Sequence, residues 1–183
     1  QRAVAPTFIL DPAGSGESDA LLPATANLAD HAALLVEALD ALGLEGCELE
    51  GHGAGGALAA ELALQRPRRV ARLHLAGDAL PDAATRKALL DSEVREFTPR
   101  GDGTHLLAAW HQLRDRRLWQ PAQHGRRAGI VPGEPRLDPR DLQRELFELA
   151  RLGARYAPAR EAELRHDHEA VLARVDCPVT RID

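Results

Sequence analysis

The chain has 183 residues, 44% of them hydrophobic and 28% charged, which suits one soluble domain with a sizeable core. A formal net charge of −5 gives no electrostatic support for a nucleic-acid partner. Two cysteines, Cys47 and Cys177, are too few for a disulfide framework and lack zinc spacing, so they read as thiols beside strands.

No run is long and apolar enough to span a bilayer, and no charged-then-apolar leader opens the chain, so the expected location is the cytoplasm. There is no methionine and the first residue is Gln1, which leads to the expectation that segments are missing at both ends. No internal repeat is evident.

In chain order, Thr7 to Leu10 is a short apolar run with strand formers, ended by Asp11-Pro12. Asp11 to Asp19 is a polar glycine loop. Leu28, Leu35, Leu39 and Leu42 recur at helical spacing over residues 27–42, and Gly43 closes that helix. Residues 47–50 predict a weak strand, and residues 54–65 a helix of small residues able to pack closely on a sheet. Residues 70–76 predict the next strand, with Gly77-Asp78 as its exit turn. Alternation of strand and helix implies a parallel sheet.

From Pro81 to Arg174 the pattern is helical. Asp82 caps a helix through Leu90, and Thr104 caps another with Leu106, Trp110 and Leu113 on one face. Residues 125–139 form a Gly/Pro-rich connector. Asp138-Pro139 opens a helix with Leu142, Leu146 and Leu149 inward, short helices follow over 158–167 and 168–173, and residues 179–182 resume the strand pattern.

The pivotal stretch is Gly51-His52-Gly53-Ala54-Gly55-Gly56, a glycine turn between strand and helix. Two machines share that form. One is the dinucleotide loop Gly-x-Gly-x-x-Gly, for which Gly51, Gly53 and Gly56 would admit a pyrophosphate and Asp78 would bind a ribose hydroxyl. Against it stand Glu48 and Glu50, in a strand such folds keep nearly all apolar. The other is the nucleophile elbow, with Gly53 at the position of the nucleophile.

Four segments in order carry a resemblance to the lidded α/β-hydrolases. They are Asp11-x-x-Gly14-x-Gly16-x-Ser18-Asp19, Leu42-Gly43-Leu44 through Gly56, Arg66-Pro67 to Leu75, and Val175 to Ile182 with Cys177-Pro178. The resemblance implies an α/β fold: a partial parallel α/β-hydrolase sheet over residues 1–80, a helical lid over 81–174 and the start of the next core strand over 175–183. It implies a small ester- or amide-type substrate held between core and lid, with no cofactor and no metal. It also implies the site: Gly53 at the nucleophile position without a side chain, the Ala54 N–H as oxyanion donor, and Asp78 as an acid after its strand. His52, Asp11, His105 and Trp110 are the substrate-binding candidates. Neither a nucleophilic serine nor a catalytic histidine is identified, so the enzyme is expected to be inactive as given. Trp119, Tyr156 and His111 fall in the lid, and His166-Asp167-His168, with Glu163 and Glu169 nearby, reads as a solvated polar surface. The oligomeric state is not specified.

Overall fold

The computed structural model describes residues 6–19, 23, 25–76, 81–93, 97–119, 129–131 and 133–182. Its elements are α1 (Leu28–Ala41), β1 (Cys47–His52), α2 (Ala54–Gln65), β2 (Val70–Ala76), α3 (Ala83–Glu93), α4 (Thr104–Arg116), α5 (Pro139–Leu152), α6 (Tyr156–Arg165), α7 (His168–Leu172) and β3 (Val179–Ile182). The strands form one parallel sheet in the order β1-β2-β3.

Helix α1 begins where local chemistry dictates. The Asn27 side chain accepts from the Asp30 N–H, and the Asp30 carboxylate accepts from the Asn27 N–H, so two end donors are satisfied reciprocally. Replacing Asn27 by alanine is expected to cost about 1 kcal/mol, read as a lower urea midpoint with an unchanged slope.

Helix α2 is buried on nearly every side, from Gly56 through Ala63. Its small residues let it lie between α1 and the sheet. Ala57, Leu58, Leu62 and Ala63 meet Leu28, Ala32, Val36 and Leu39 of α1, and Ala59 and Ala60 meet Leu73 of β2. A helix hidden all round takes its stability from packing rather than from propensity. Cys47 and Cys177 are free thiols at the margin of this core, and burial pushes the Cys177 thiol up from its ordinary pKa.

Alternation along β1 sends Cys47, Leu49 and Gly51 toward that core, while Glu48, Glu50 and His52 are exposed. On the exposed face Glu48 lies 3.0 Å from His74 and 3.9 Å from Arg72, its neighbours on β2. Among the described residues, one face of the sheet is therefore apolar and covered and the other carries charge.

The helices between β2 and β3 form a second cluster. Phe97, Ala109, Leu113, Leu142 and Leu149 are buried together, with Trp110, Leu146 and Tyr156 packed against them. This segment meets the rest of the molecule where α7 packs on α2, through Val171 and Leu172, and where Arg151 pairs with Glu17.

Four sequence expectations require correction. Residues 7–10 form no strand, and Phe8, Ile9 and Leu10 are exposed. A strand exists only through a neighbour's hydrogen bonds, and this run has none among the described residues. Thr104 is not a cap. The residue before α4 is Gly103, left-handed at φ 74°, and the Asp102 carboxylate accepts from both the Thr104 N–H (3.0 Å) and its hydroxyl (2.8 Å). Finally, the His166–His168 pair is enclosed rather than solvated, His168 being only 2% exposed. Strand β1 also continues two residues past Glu50, because Gly51 and His52 pair with Leu75 and Ala76.

Candidate functional site

The bend between β1 and α2 turns on Gly53, whose φ of 51° and ψ of −119° lie where a side chain is strained. The Gly53 carbonyl accepts from the Gly56 N–H at 2.9 Å and the Ala57 N–H at 3.3 Å, which closes the first turn of α2. Helix geometry leaves the Ala54 and Gly55 N–H groups without an intrahelical acceptor, so they present a positive dipole end. His52, Gly53 and Ala54 are all exposed. Among the described residues, a Cβ added at Gly53 would meet no atom within 4 Å. The bend thus has the backbone of a strained elbow and open space above it.

The glycines on either side have a different purpose. A Cβ on Gly51 would stand 2.4 Å from the Gly55 carbonyl oxygen, and one on Gly56 would stand 3.2 Å from the Gly51 oxygen and 3.3 Å from Leu75 Cδ2. They let strand end and helix start cross at close range. Gly53, by contrast, is where a side chain would project outward.

Of the expected site residues, His52 and Ala54 flank Gly53 directly. The His52 ring faces solvent and holds Glu50 at 3.1 Å, so it packs under no cover among the described residues. Asp11 stands in the glycine loop, its carboxylate accepting from the Glu17 N–H and its carbonyl from the Ser18 hydroxyl. With Ser15 and Gly16 it forms one wall of a cleft of about 360 Å³, and Glu148, Arg151, Leu152 and Arg155 form the other. None of the bend residues lines that cleft.

His105 and Trp110 belong to α4 and are placed by the second cluster. The His105 Nδ1 accepts from the Arg100 N–H at 3.1 Å, and its ring lies 5.5 Å from that of Phe97. Trp110 and Tyr156 pack on the same cluster, and the buried Tyr156 hydroxyl has no partner among the described residues. Asp78 lies outside the described residues.

Sequence reasoning missed Glu61. Its carboxylate is buried midway along α2, 3.1 Å from His166 Nε2. The signal was present: a lone acid in an Ala/Leu helix that is buried all round must find a partner.

Comparison with known proteins agrees with this geometry. A family profile described as the alpha/beta hydrolase fold matches residues 1–132. "Putative carbamate hydrolase RutD" of Variovorax paradoxus (strain S110) is 34% identical over 166 residues, which cover 86% of this chain and 62% of that protein. The protein of the same printed name from Pseudomonas savastanoi pv. phaseolicola is 42% identical over 60 residues, 33% of this chain and 23% of its own length. Among solved structures, a hydrolase from Pseudomonas aeruginosa PA01 superposes with a TM-score of 0.58 at 25% identity, covering 93% of this chain and 58% of the other. An epoxide hydrolase from an endophytic Streptomyces shares the fold, with a TM-score of 0.57, 21% identity and coverage of 93% and 62%. The chain therefore spans about three fifths of the proteins it matches over most of its length. The dinucleotide-loop reading finds no support in these comparisons. With the strand, the strained glycine bend and the buried helix in place, the chain belongs to the α/β-hydrolase fold family.

Proposed function

We propose that this chain holds a small organic ester-, amide- or carbamate-type substrate between the parallel sheet and the helices of residues 81–174, which act as its lid. One observation supports the reading: the strand-to-helix bend turns on Gly53 at positive φ, and among the described residues nothing lies within 4 Å of a Cβ added there. The Ala54 N–H is the oxyanion donor, since backbone geometry survives the loss of a side chain. Asp11 and His52 are the polar candidates on the core side, and His105 and Trp110 those on the lid side. Asp78 is retained as the acid that would follow β2.

Hydrolysis through a covalent ester needs an atom that attacks the carbonyl, and glycine supplies none. The chain is accordingly a binder, or a catalyst by a route without an acyl-enzyme. Carbamate chemistry is the favoured variant because a relative aligned over most of this chain carries that name.

The test is to titrate the full chain with a neutral aryl carbamate and follow ligand line-broadening by NMR, with mass spectrometry of the protein in parallel. Saturable binding with no covalent adduct is expected. A carbamoylated protein, or no binding by a chain shown to be folded, would remove the proposal.

A further inference from the structure

The end of α5 faces the N-terminal glycine loop across the cleft of about 360 Å³. The loop wall is built to hold one shape. The Asp11 carboxylate accepts from the Glu17 N–H at 3.1 Å, the Asp11 carbonyl from the Ser18 hydroxyl at 2.8 Å, and the Asp19 carbonyl from the Gly14 N–H at 2.9 Å. A Cβ on Gly16 would collide with the Asp11 carboxylate, so this course of the loop needs glycine there. The helical wall is held as well: Arg155 donates to the carbonyls of Arg151 and Leu152, at 3.2 and 3.4 Å, and closes the end of α5.

The connection between these two firm walls is soft. Arg151 on α5 pairs across the cleft with Glu17 on the loop, and the two side chains are 52% and 86% exposed. Arg151 also lies 3.9 Å from Glu148, one turn back on its own helix. One guanidinium thus has a carboxylate partner on each wall. Two arginines and one glutamate on the helical wall face two acids, Asp11 and Glu17, on the loop side, so the walls attract. Where α7 packs on α2, by contrast, the contact is apolar and carries no charge for salt to screen.

We propose that Arg151 is a two-position clasp that sets the opening of this cleft. Paired with Glu17, it draws the end of α5 against the glycine loop and covers Leu152. Paired with Glu148 alone, it releases the loop and uncovers Leu152. Exposed ion pairs contribute little each, so both arrangements are populated and small changes in charge shift the balance. Gly153, at φ 53° and ψ −128°, is the joint just beyond this wall that absorbs the shift. Opening stays local because the α7–α2 contact persists. The clasp does not require a substrate beneath the helices.

The two glutamates act with opposite sign. Neutralising Glu17 removes the partner across the cleft and opens it. Neutralising Glu148 removes the competing partner and leaves the helical wall more positive toward Asp11 and Glu17, so the cleft closes. Salt screens the attraction between the walls and opens it. An ion pair that only stabilised the fold would give no such opposition between two acids that both touch Arg151.

The experiment reads the Leu152 methyl signals of the full chain by NMR, through their broadening by a neutral, water-soluble nitroxide. Exposed Leu107 is the reference for probe access, and unmoved signals of buried Leu73 report an intact fold. Raising NaCl from about 0.01 M to about 1 M shortens the screening length from roughly 30 Å to roughly 3 Å. Over that range the broadening of Leu152 relative to Leu107 is expected to rise by up to about fivefold. Glu17→Gln is expected to show the high-salt level already at low salt. Glu148→Gln is expected to fall below the unsubstituted chain at every salt concentration between those limits. Equal broadening of the unsubstituted and Glu17→Gln chains at low salt, an unsubstituted chain without a salt response, or a Glu148→Gln chain as open as the unsubstituted one or more so, would each overturn the clasp.

Discussion

Replacing Gly51 by alanine is expected to lower the stability of the fold by about 3 kcal/mol, the largest loss expected from a single methyl anywhere around the bend. The new Cβ would stand 2.4 Å from the Gly55 carbonyl oxygen, 2.5 Å from its carbon and 2.6 Å from the Gly56 nitrogen. All three are backbone atoms, so no rotamer change relieves the clash. The strand end must separate from the helix start, which pulls Gly51 out of register with Leu75. Two neighbouring glycines serve as internal controls. Gly55 has nothing within 4 Å of its Cβ position and no positive φ, so alanine there is expected to stabilise by roughly 0.5 kcal/mol. At Gly53 the space is equally open but φ is positive, and alanine is expected to cost about 1–2 kcal/mol of backbone strain alone. Urea unfolding of the three variants should therefore rank Gly55→Ala above the unsubstituted chain, then Gly53→Ala, then Gly51→Ala. A Gly51→Ala midpoint equal to that of Gly53→Ala would show that the crossing is not tight.

This ranking shows what a sequence carries and what it conceals. The string of glycines was visible, and so was the strand–turn–helix around it, because apolar runs and boundary residues act locally. Helix α2 and strand β2 accordingly fall where periodicity places them, at 54–65 and 70–76. Which glycine is needed for clearance and which for conformation depends on how two backbones cross, and one-dimensional spacing does not encode that.

The same limit explains the other departures. Residues 7–10 have strand composition, but pairing is a property of two segments. At His166-Asp167-His168, a continuing helix would turn positions i and i+2 about half a turn apart and leave a solvated surface. The chain is extended there instead, His166 at φ −71°, ψ 131° and Asp167 at φ −89°, ψ 80°. Asp167 caps α7 by accepting from the Ala170 N–H, so α6 ends and α7 begins around it, and the two rings meet. A residue with strong capping chemistry between two histidines was the sequence signal for that break.

Placing a serine at Gly53 in the full chain is expected to raise turnover of aryl esters or carbamates by about 10⁴-fold or more where a proton acceptor reaches the new hydroxyl, since removing a nucleophile from such an assembly costs that order. Among the described residues nothing clashes with the side chain, since none lies within 4 Å of its Cβ. The only penalty is backbone strain of about 1–3 kcal/mol, which helix α2, buried along most of its length, can hold in place. The hydroxyl would stand at the exposed tip of the bend, beside the Ala54 N–H, which has no acceptor within its own helix, and the positive end of α2. Position and field are thus inherited from the backbone, and the proton acceptor is the remaining requirement. His52 is poorly placed for that role: its ring is turned to solvent and held by Glu50. A Gly53→Ser/His52→Ala double variant should then keep most of the gain. Labelling by a fluorophosphonate separates the two requirements, since it reports an activated serine rather than substrate fit. A folded Gly53→Ser chain that neither labels nor turns over substrate would mean that the elbow backbone alone survives. Labelling without turnover would place the defect in substrate binding between sheet and helices.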